Sequence, residues 1–330
     1  MGATAFRCDF RVTFRALLVV IGAALVVGAA PPPKVLAPSE IVAAAPASDW
    51  VAIAPSDLLV MDLMGNRRVV IQLMSPPFSQ GWVGNIRKLA AARFWDATSI
   101  NRVQDNYVVQ WGDANAEDKA RAKPLPTGLA VVPQSEYTVR VVPITTDRAS
   151  AKRLRWAVPS LTSALMSLAD PYAPGGRFQD GWPLGRIGNG KAWVDWPVHC
   201  YGMVGVGRDM APDTGTGAEL YTVIGHAPRH LDRNIALVGR VIAGIEHLSS
   251  LPRGTGALGF YEKPEQRVTI TSIRLGNEVA DLAAYQYLSI ESATFARYAD
   301  ARANRRDAFF IQPAGGADIC NIPVPVRKAP

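Results

Sequence analysis

The stretch INRVQDNYVVQWGD, residues 100–113, contains two short β-type runs joined by Asp105-Asn106, a turn-tolerant pair. Successive side chains of a strand point to opposite faces, so each run presents two faces with different surroundings. Both runs are apolar, yet they carry Arg102 and Gln110. Arg102 is therefore either an ordinary surface arginine or a hydrogen-bond donor placed beside the apolar wall of a groove.

Other parts of the chain repeat this strand pattern. Gly65-Asn66 separates LLVMDLM (58–64) from RRVVIQLM (67–74), which predicts a hairpin. Residues 79–94 instead have apolar side chains every three or four positions and predict an amphipathic helix. Further strands are predicted at residues 199–209, 219–225, 235–244 and 267–276.

The fold class follows from the number and spacing of these segments. Many short strands, few helices and frequent turns predict a mainly β protein, either a closed antiparallel barrel or a sandwich. A parallel βαβ arrangement would need regular helical crossovers, and the sequence lacks them. We expect a barrel with helices covering its ends, within a domain at residues 57–276.

Three regions fall outside the strand pattern. Residues 30–56 are rich in Ala and Pro and predict a flexible lead-in. Residues 114–198 form a long insertion, in which 159–169 has a helical pattern and 172–190 is typical of a loop. Residues 277–330 form a C-terminal extension with helical spacing over 279–306 and an extended tail.

The first 29 residues predict an export signal. Arginines outnumber acidic residues in Met1–Arg15, and the apolar run ALLVVIGAALVV (16–27) follows. About a dozen apolar residues are too few for a comfortable transmembrane helix, and cleavage after Ala29 fits a small-residue site. The alternative is an uncleaved membrane anchor. We expect a periplasmic protein that meets the membrane only if this signal is retained.

The charge and cysteine content narrow the partners further. Cleavage would lower the formal charge from +7 to +5, and the remaining excess is spread along the chain, so no nucleic-acid partner is expected. Cys8 would leave with the signal. Cys200 and Cys320 would remain in an oxidising compartment, where we favour a disulfide over two buried free thiols.

Several kinds of catalytic chemistry are missing from the sequence. The chain has no G-x-S-x-G elbow, no G-x-x-x-x-G-K-[ST] phosphate loop and no pattern typical of two-carboxylate catalysis. His226 and His230 have a metal-like spacing, but Pro228 would disrupt the helix that such spacing requires. We therefore expect neither a metal nor a cofactor.

Seven segments follow one another in a specific order. The hairpin and helix precede R-x-x-x-x-Y-x-x-Q-x-G-D (102–113), GMVGVGR (202–208), ELYTVIG (219–225), HLD (230–232) and ALVGRVIAGIEHL (236–248). This order resembles that of the cyclophilin family of peptidyl-prolyl isomerases. The resemblance covers residues 58–113 and 199–276. It implies an eight-stranded antiparallel closed barrel capped by two helices, to which this chain adds its insertion and its C-terminal extension.

The resemblance also implies an enzyme that isomerises X-Pro bonds in unfolded or extended polypeptides, without a cofactor. Arg102 is then the catalytic residue, an always-charged planar donor directed at the prolyl nitrogen. Gln110 holds the substrate backbone, and Gly207 and Arg208 line the groove for the residues before the proline. The candidates for the proline pocket are Tyr107, Val108, Tyr221 and Leu231, for which ordinary core packing is the alternative.

This chain departs from the family pattern at five positions, and at two of them Leu220 and Val238 replace aromatic residues. Glu219 replaces a Gln, Ile235 replaces a His or Tyr, and His230 replaces a Trp or Phe. A pocket with fewer aromatic walls buries less area, and a carboxylate near Arg102 would dampen its donor role. The alternative function is a non-catalytic module that binds proline-containing peptides and keeps the barrel.

Overall fold

Eight antiparallel strands close into a barrel in the computed structural model, which describes residues 34–141, 168–189, 191–226 and 228–330. The predicted signal, residues 1–29, lies outside this described part. The strands are β1 (Trp50–Ile53), β2 (Leu58–Leu63), β3 (Arg67–Leu73), β4 (Ser99–Val103), β5 (Val108–Gly112), β6 (Val139–Val141), β7 (Gly175–Gln179), β8 (Trp182–Gly188), β9 (Trp193–Pro197), β10 (Met203–Val206), β11 (Leu220–Val223), β12 (Leu237–Ala243), β13 (Val268–Leu275), β14 (Tyr285–Leu288) and β15 (Val326–Lys328).

Helices are few in the described part of the chain, as expected for a mainly β protein. The α-helices are α1 (Pro38–Ala43), α2 (Gln80–Ala91), α3 (Glu246–Ser249) and α4 (Ala293–Ala303). Single 3₁₀ turns lie at Ala47–Asp49, Pro55–Asp57, Gln134–Tyr137, Arg229–Leu231, Ala257–Gly259, Pro264–Gln266, Gly276–Glu278 and Ile319–Asn321.

The barrel confirms the predicted fold class. Its strand order is β10-β11-β5-β4-β13-β2-β3-β12, and every neighbouring pair is antiparallel. The two predicted hairpins are β2–β3 and β4–β5. Helix α2 buries Trp82, Ile86 and Leu89 in the main core, so its apolar face covers the barrel as its spacing predicts.

The insertion forms a second sheet, with the strand order β6-β9-β8-β7. The prediction of a loop over 172–190 is wrong, because β7 and β8 pair there around Asp180-Gly181. Glycines and a proline hide the alternation of this hairpin, whereas burial of Trp182 and Leu184 stabilises it. The predicted helix at 159–169 lies outside the described residues except for its last two, which are not helical.

The second sheet contacts the barrel through a buried arginine of β12. Arg240 donates from Nη1 to the carbonyl oxygen of Gly181 at 2.8 Å and from Nε to Oε1 of Gln72 at 2.9 Å. Its guanidinium lies 4.7 Å from the ring centroid of Trp182, and burial lowers the pKa of Arg240 to about 10. The insertion is therefore packed against the barrel wall through both polar and aromatic contacts.

Two predictions about the ends of the barrel domain are corrected. Residues 34–56, expected within a flexible lead-in, contain α1 and β1, and β1 pairs with β14 beside β15. The helix predicted over 279–306 is a strand, β14, followed by the shorter α4. Leu282, Tyr285 and Leu288 have helical spacing, but β14 pairs with strands on both sides, a long-range gain that periodicity cannot register.

Cys200 and Cys320 form a disulfide, as predicted, with their Cα atoms 5.1 Å apart. It joins the end of the insertion to the C-terminal tail. Within the described residues, no helix has the length and apolarity needed to cross a membrane.

Candidate active site

A cavity of about 650 Å³ opens on the side of the barrel where β4, β5 and β11 are neighbours. The structure brings all of the predicted site residues together on its wall. They are Arg102, Tyr107, Val108, Gln110, Gly207, Arg208, Glu219, Tyr221, Leu231 and Ile235.

Strand register explains why residues so distant in sequence meet here. Arg102 of β4 lies opposite Gln110 of β5, Gln110 lies opposite Tyr221 of β11, and Tyr221 lies opposite Gly205 of β10. Residues directly opposite in antiparallel strands share a face, so these four form one row across the barrel. A Cβ on Gly205 would come within 2.3 Å of Cζ of Tyr221, so glycine leaves room for this ring.

Arg102 is held by neutral groups. Its Nε donates to the carbonyl oxygen of Leu258 at 2.7 Å and its Nη1 to Oε1 of Gln110 at 3.0 Å, while its Nη2 donates to Oε1 of Gln104. The guanidinium also lies 5.4 Å from the ring centroid of Phe260 and 5.6 Å from that of Tyr107. Burial lowers the pKa of Arg102, and none of the described carboxylates forms an ion pair with it.

Glu219 reaches Arg102 only through Gln110. Nε2 of Gln110 donates to Oε2 of Glu219 at 3.1 Å, while Oε1 of the same amide accepts from Arg102. Burial raises the pKa of Glu219, and the Gln110 hydrogen bond and the charge of Arg102 offset this only in part. The direct pairing that the sequence suggested for Glu219 and Arg102 does not occur, so Arg102 keeps its charge available.

The apolar wall of the cavity is a small cluster separate from the main core of the barrel. Val108, Val223 and Tyr221 are buried in it, and Tyr107 and Ile235 pack against them. Tyr107 is half-buried and faces both the cavity and Arg102, so it is more than core packing. Val108 and Tyr221 are buried and also line the cavity, so they belong both to the core packing and to the wall of the candidate pocket.

Comparison with known proteins agrees with this geometry. Residues 68–275 match the family model for the cyclophilin type peptidyl-prolyl cis-trans isomerases. The chain belongs to the cyclophilin-type peptidyl-prolyl cis-trans isomerases. None of the curated proteins is a significant match for the chain.

A solved cyclophilin structure shows the same fold. The cyclophilin AquaCyp293 from Hirschia baltica is 21% identical, with a TM-score of 0.57, covering 80% of this chain and 92% of that one. A cyclophilin-type peptidyl-prolyl cis-trans isomerase from Cryptosporidium parvum, solved in the presence of the dipeptide Ala-Pro, is 11% identical with a TM-score of 0.36. It covers 66% of this chain and 98% of that one, but its similarity is too low to support conclusions here.

The loop at residues 228–235 supplies the far wall of the cyclophilin site. Leu231 lines the cavity, while the exposed His230 stacks on Tyr107 with ring centroids 5.9 Å apart. Pro228 precedes a 3₁₀ turn at Arg229–Leu231, so His226 and His230 do not share an α-helical turn. His230 itself lines a second, neighbouring cavity, so it contacts this site only through Tyr107, and the loss of aromatic wall that the sequence predicts is not made up by His230.

Gly207 and Arg208 also line the cavity. A Cβ on Gly207 would come within 2.9 Å of Cβ of Glu219, so only glycine keeps this passage open without displacing its neighbour. Arg208 donates from Nε to the carbonyl oxygen of Asn234 at 3.0 Å and from Nη1 to that of Asp209 at 2.7 Å. Both positions fit a groove for a peptide backbone, and their roles stay predictions.

Sequence reasoning missed three residues that hold Arg102. Gln104 lies two positions further along the same strand face, so alternation alone was enough to find it. Leu258 and Phe260 belong to the irregular segment at residues 250–267, which has no periodic pattern. Phe260 is brought beside Arg102 by an isolated antiparallel bridge between the two backbones, a contact that only the folded chain creates.

Proposed function

We propose that this cyclophilin accelerates X-Pro isomerisation in exported polypeptides as they fold, by non-covalent binding of the twisted amide. The observation that carries the proposal is the position of Arg102, a cation with only neutral hydrogen-bond partners, beside an apolar pocket. The barrier to amide rotation is about 18–20 kcal/mol because twisting removes the resonance of the C–N bond. A site that binds the twisted amide more tightly than either planar isomer lowers that barrier without a nucleophile.

Arg102 supplies the donor in this mechanism. A guanidinium has five N–H groups, and three of those of Arg102 are engaged, which leaves two for a substrate. When the amide twists, the lone pair localises on the prolyl nitrogen and becomes a better hydrogen-bond acceptor. A donor directed at that nitrogen therefore stabilises the transition state more than the ground state.

The apolar pocket and the amide of Gln110 position the substrate around Arg102. Val108, Tyr221 and Leu231 provide apolar surface for the proline ring, with Tyr107 and Ile235 at its edge. Gln110, whose amide is oriented by Arg102 and Glu219, binds the substrate backbone. Because these contacts use the proline ring and the main chain, the substrates are proline-containing polypeptides with little sequence preference.

Export is the second part of the proposal. It is supported by the sequence of residues 1–29 and by the Cys200–Cys320 disulfide, since disulfides persist mainly in oxidising compartments. The test is the mass of the protein recovered from a periplasmic fraction. A chain that begins at Ala30 supports export and cleavage, whereas an intact chain in the membrane fraction supports the anchor.

The activity is tested with an Ala-Pro model peptide, by NMR exchange or a protease-coupled assay. We compare the parent protein, Arg102→Ala and a control, Arg67→Ala, which removes an arginine of the barrel that lies outside the cavity. Acceleration that only Arg102→Ala abolishes supports the proposal. If the parent binds the peptide but leaves its exchange rate at the solution value, the chain is a non-catalytic binding module.

A further inference from the structure

A buried hydrogen bond links the pocket to the interior of the molecule. Oη of Tyr221 lies 2.8 Å from Nε2 of His199, and the two rings are within 11° of parallel with centroids 6.3 Å apart. Tyr221 is 4% exposed and His199 is fully buried. His199 does not line the cavity, so it acts on a substrate only through Tyr221.

Asp232 determines how His199 is protonated. Its Oδ1 lies 2.9 Å from both the backbone nitrogen and Nδ1 of His199. Burial opposes the charge of Asp232, but its bonds with His199 and Arg229 outweigh this and lower its pKa, so it accepts as a carboxylate. Nδ1 of His199 therefore carries the proton and Nε2 accepts from the Tyr221 hydroxyl. Burial also lowers the pKa of His199, which keeps the ring neutral.

Arg229 supports Asp232 from the other side. Its Nε donates to Oδ2 of Asp232 at 2.6 Å, and its Nη1 donates to Oδ2 of Asp170 at 2.6 Å and lies 3.5 Å from Oδ2 of Asp318. Asp170 belongs to the insertion and Asp318 to the C-terminal tail. The disulfide partner Cys200 directly follows His199 in the chain. The two regions without a place in the barrel thus meet at one arginine behind the pocket.

We propose that His199 is a positioning residue, which holds the Tyr221 ring over Gly205 as the floor of the proline pocket, and that the insertion and tail brace it through Arg229. This inference rests on the proposed isomerase function. It gives Tyr221 two restraints, the tight contact with Gly205 on one side and a hydrogen bond at the tip of the ring. A pocket wall that is already held in place loses little conformational freedom when the substrate binds. More of the free energy of its contacts is then available to stabilise the transition state.

Two substitutions at position 199 separate the two hydrogen bonds of the imidazole. The amide of His199→Gln replaces Nε2, so it keeps the bond to Tyr221 and loses that to Asp232. The amide of His199→Asn replaces Nδ1, with the opposite result. We expect His199→Gln to keep kcat/KM for the Ala-Pro peptide within about twofold and His199→Asn to lower it about five- to tenfold, the effect of one hydrogen bond.

The melting temperature of both variants distinguishes positioning from support of the fold. His199→Gln leaves the buried carboxylate of Asp232 short of one donor, so we expect it to be the less stable variant and yet the more active one. Activity that follows stability, with His199→Gln the poorer in both, overturns the proposal. A parent protein that binds the peptide without accelerating its exchange overturns the isomerase function instead, so the two failures are distinguishable.

A double-mutant cycle with Tyr221→Phe supplies the second measurement. Tyr221→Phe keeps the ring and removes the hydroxyl, so His199→Asn should change kcat/KM by less than about twofold in that background. The bracing is measured in the same way with Asp170→Asn/Asp318→Asn, which should lower kcat/KM in the parent and not in Tyr221→Phe. Losses that multiply across these pairs contradict an action through the Tyr221 hydroxyl.

Discussion

Arg102 and Arg229 are two arginines of this cyclophilin that stack on aromatic rings, yet their electrostatic surroundings are opposite. The guanidinium of Arg102 lies 5.4 Å from the Phe260 centroid, and its hydrogen bonds go to amide oxygens. The guanidinium of Arg229 lies 5.5 Å from the Tyr172 centroid and pairs with three aspartates. The two side chains therefore share a chemical type and differ in the charge of their partners.

The effect on each cation is visible in the direction of its pKa. Burial lowers the pKa of Arg102, and the charges of Tyr107 and Glu219 offset this only in part. Burial opposes the charge of Arg229 as well, but Asp232 and Asp170 outweigh it and raise the pKa. An arginine with unneutralised charge is suited to bind a developing lone pair, whereas a neutralised one holds chain segments together. Arg102 is therefore suited to the proposed donor role, whereas Arg229 holds chain segments together.

The largest expected effect is on the free energy of unfolding, when Arg229 is removed. Arg229→Ala leaves Asp232 and Asp170 without their cation in a buried site, and breaking a buried pair in this way costs about 3–5 kcal/mol. Denaturant unfolding measures this loss. The control is Arg253→Ala, which removes a pair with the well-exposed Asp105, and which we expect to lower stability much less because solvent screens this pair. Equal losses in the two variants would remove the distinction.

Arg102→Ala should show the opposite pattern. Removal of one transition-state donor lowers the rate about 10²–10³-fold, or about 2.7–4 kcal/mol, while the free energy of unfolding should change by less than about 1 kcal/mol. Arg102→Lys keeps a charge without the planar fork and should recover only part of the rate. The same peptide assay and denaturant curve measure both quantities. A variant that stays active but unfolds easily contradicts a catalytic role.

The aromatic partners offer a finer comparison. Phe260→Leu removes the ring beside Arg102, a contact of about 0.5–1 kcal/mol, so kcat/KM should fall about two- to fivefold. Tyr172→Leu removes the ring beside Arg229 and should leave kcat/KM unchanged, because that arginine is held by its carboxylates. A fall of the same size in both variants would show that the ring beside an arginine matters regardless of charge.

The smallest expected effect concerns Glu219, the carboxylate that accepts a hydrogen bond from Gln110. Burial raises the pKa of Glu219 above its ordinary value of 4.5, so the folded chain binds more protons there than the unfolded chain. The contribution of Glu219 to stability is therefore complete at low pH and is lost as the pH rises through its folded pKa.

Glu219→Gln removes this dependence. We expect the variant to be more stable than the parent at about pH 7, by up to about 1 kcal/mol, and equal to it near pH 4. Urea unfolding at the two pH values measures the difference. Glu265→Gln, which changes an exposed carboxylate outside the cavity, is the control. A variant that is less stable at pH 7 would indicate that Glu219 is held as a charged partner of the Arg102–Gln110 row.

Local pattern was sufficient for most strands of the barrel, whereas the candidate residues on them came from the resemblance to the cyclophilins. Turn residues such as Gly65-Asn66 and the period of two mark strands directly, because both act over a few residues. The errors have two causes. Residues 285–288 form a strand through pairing with distant segments, and that free energy is not written in their own periodicity. The β7–β8 hairpin is local in sequence, but its glycines and proline interrupt the alternation on which a strand prediction depends.

The sequence by itself determined which groups this protein can use. They are Arg102 as the proposed donor, the amide of Gln110 two positions along β5 from Val108 of the apolar pocket, and two cysteines for one disulfide. Only the tertiary structure decided what surrounds them. Gln110 stands between Arg102 and Glu219, Phe260 closes over the guanidinium, and His199 lies behind Tyr221. These contacts join segments far apart in the chain, and burial sets the charge of each group, so they exist only once the barrel has closed.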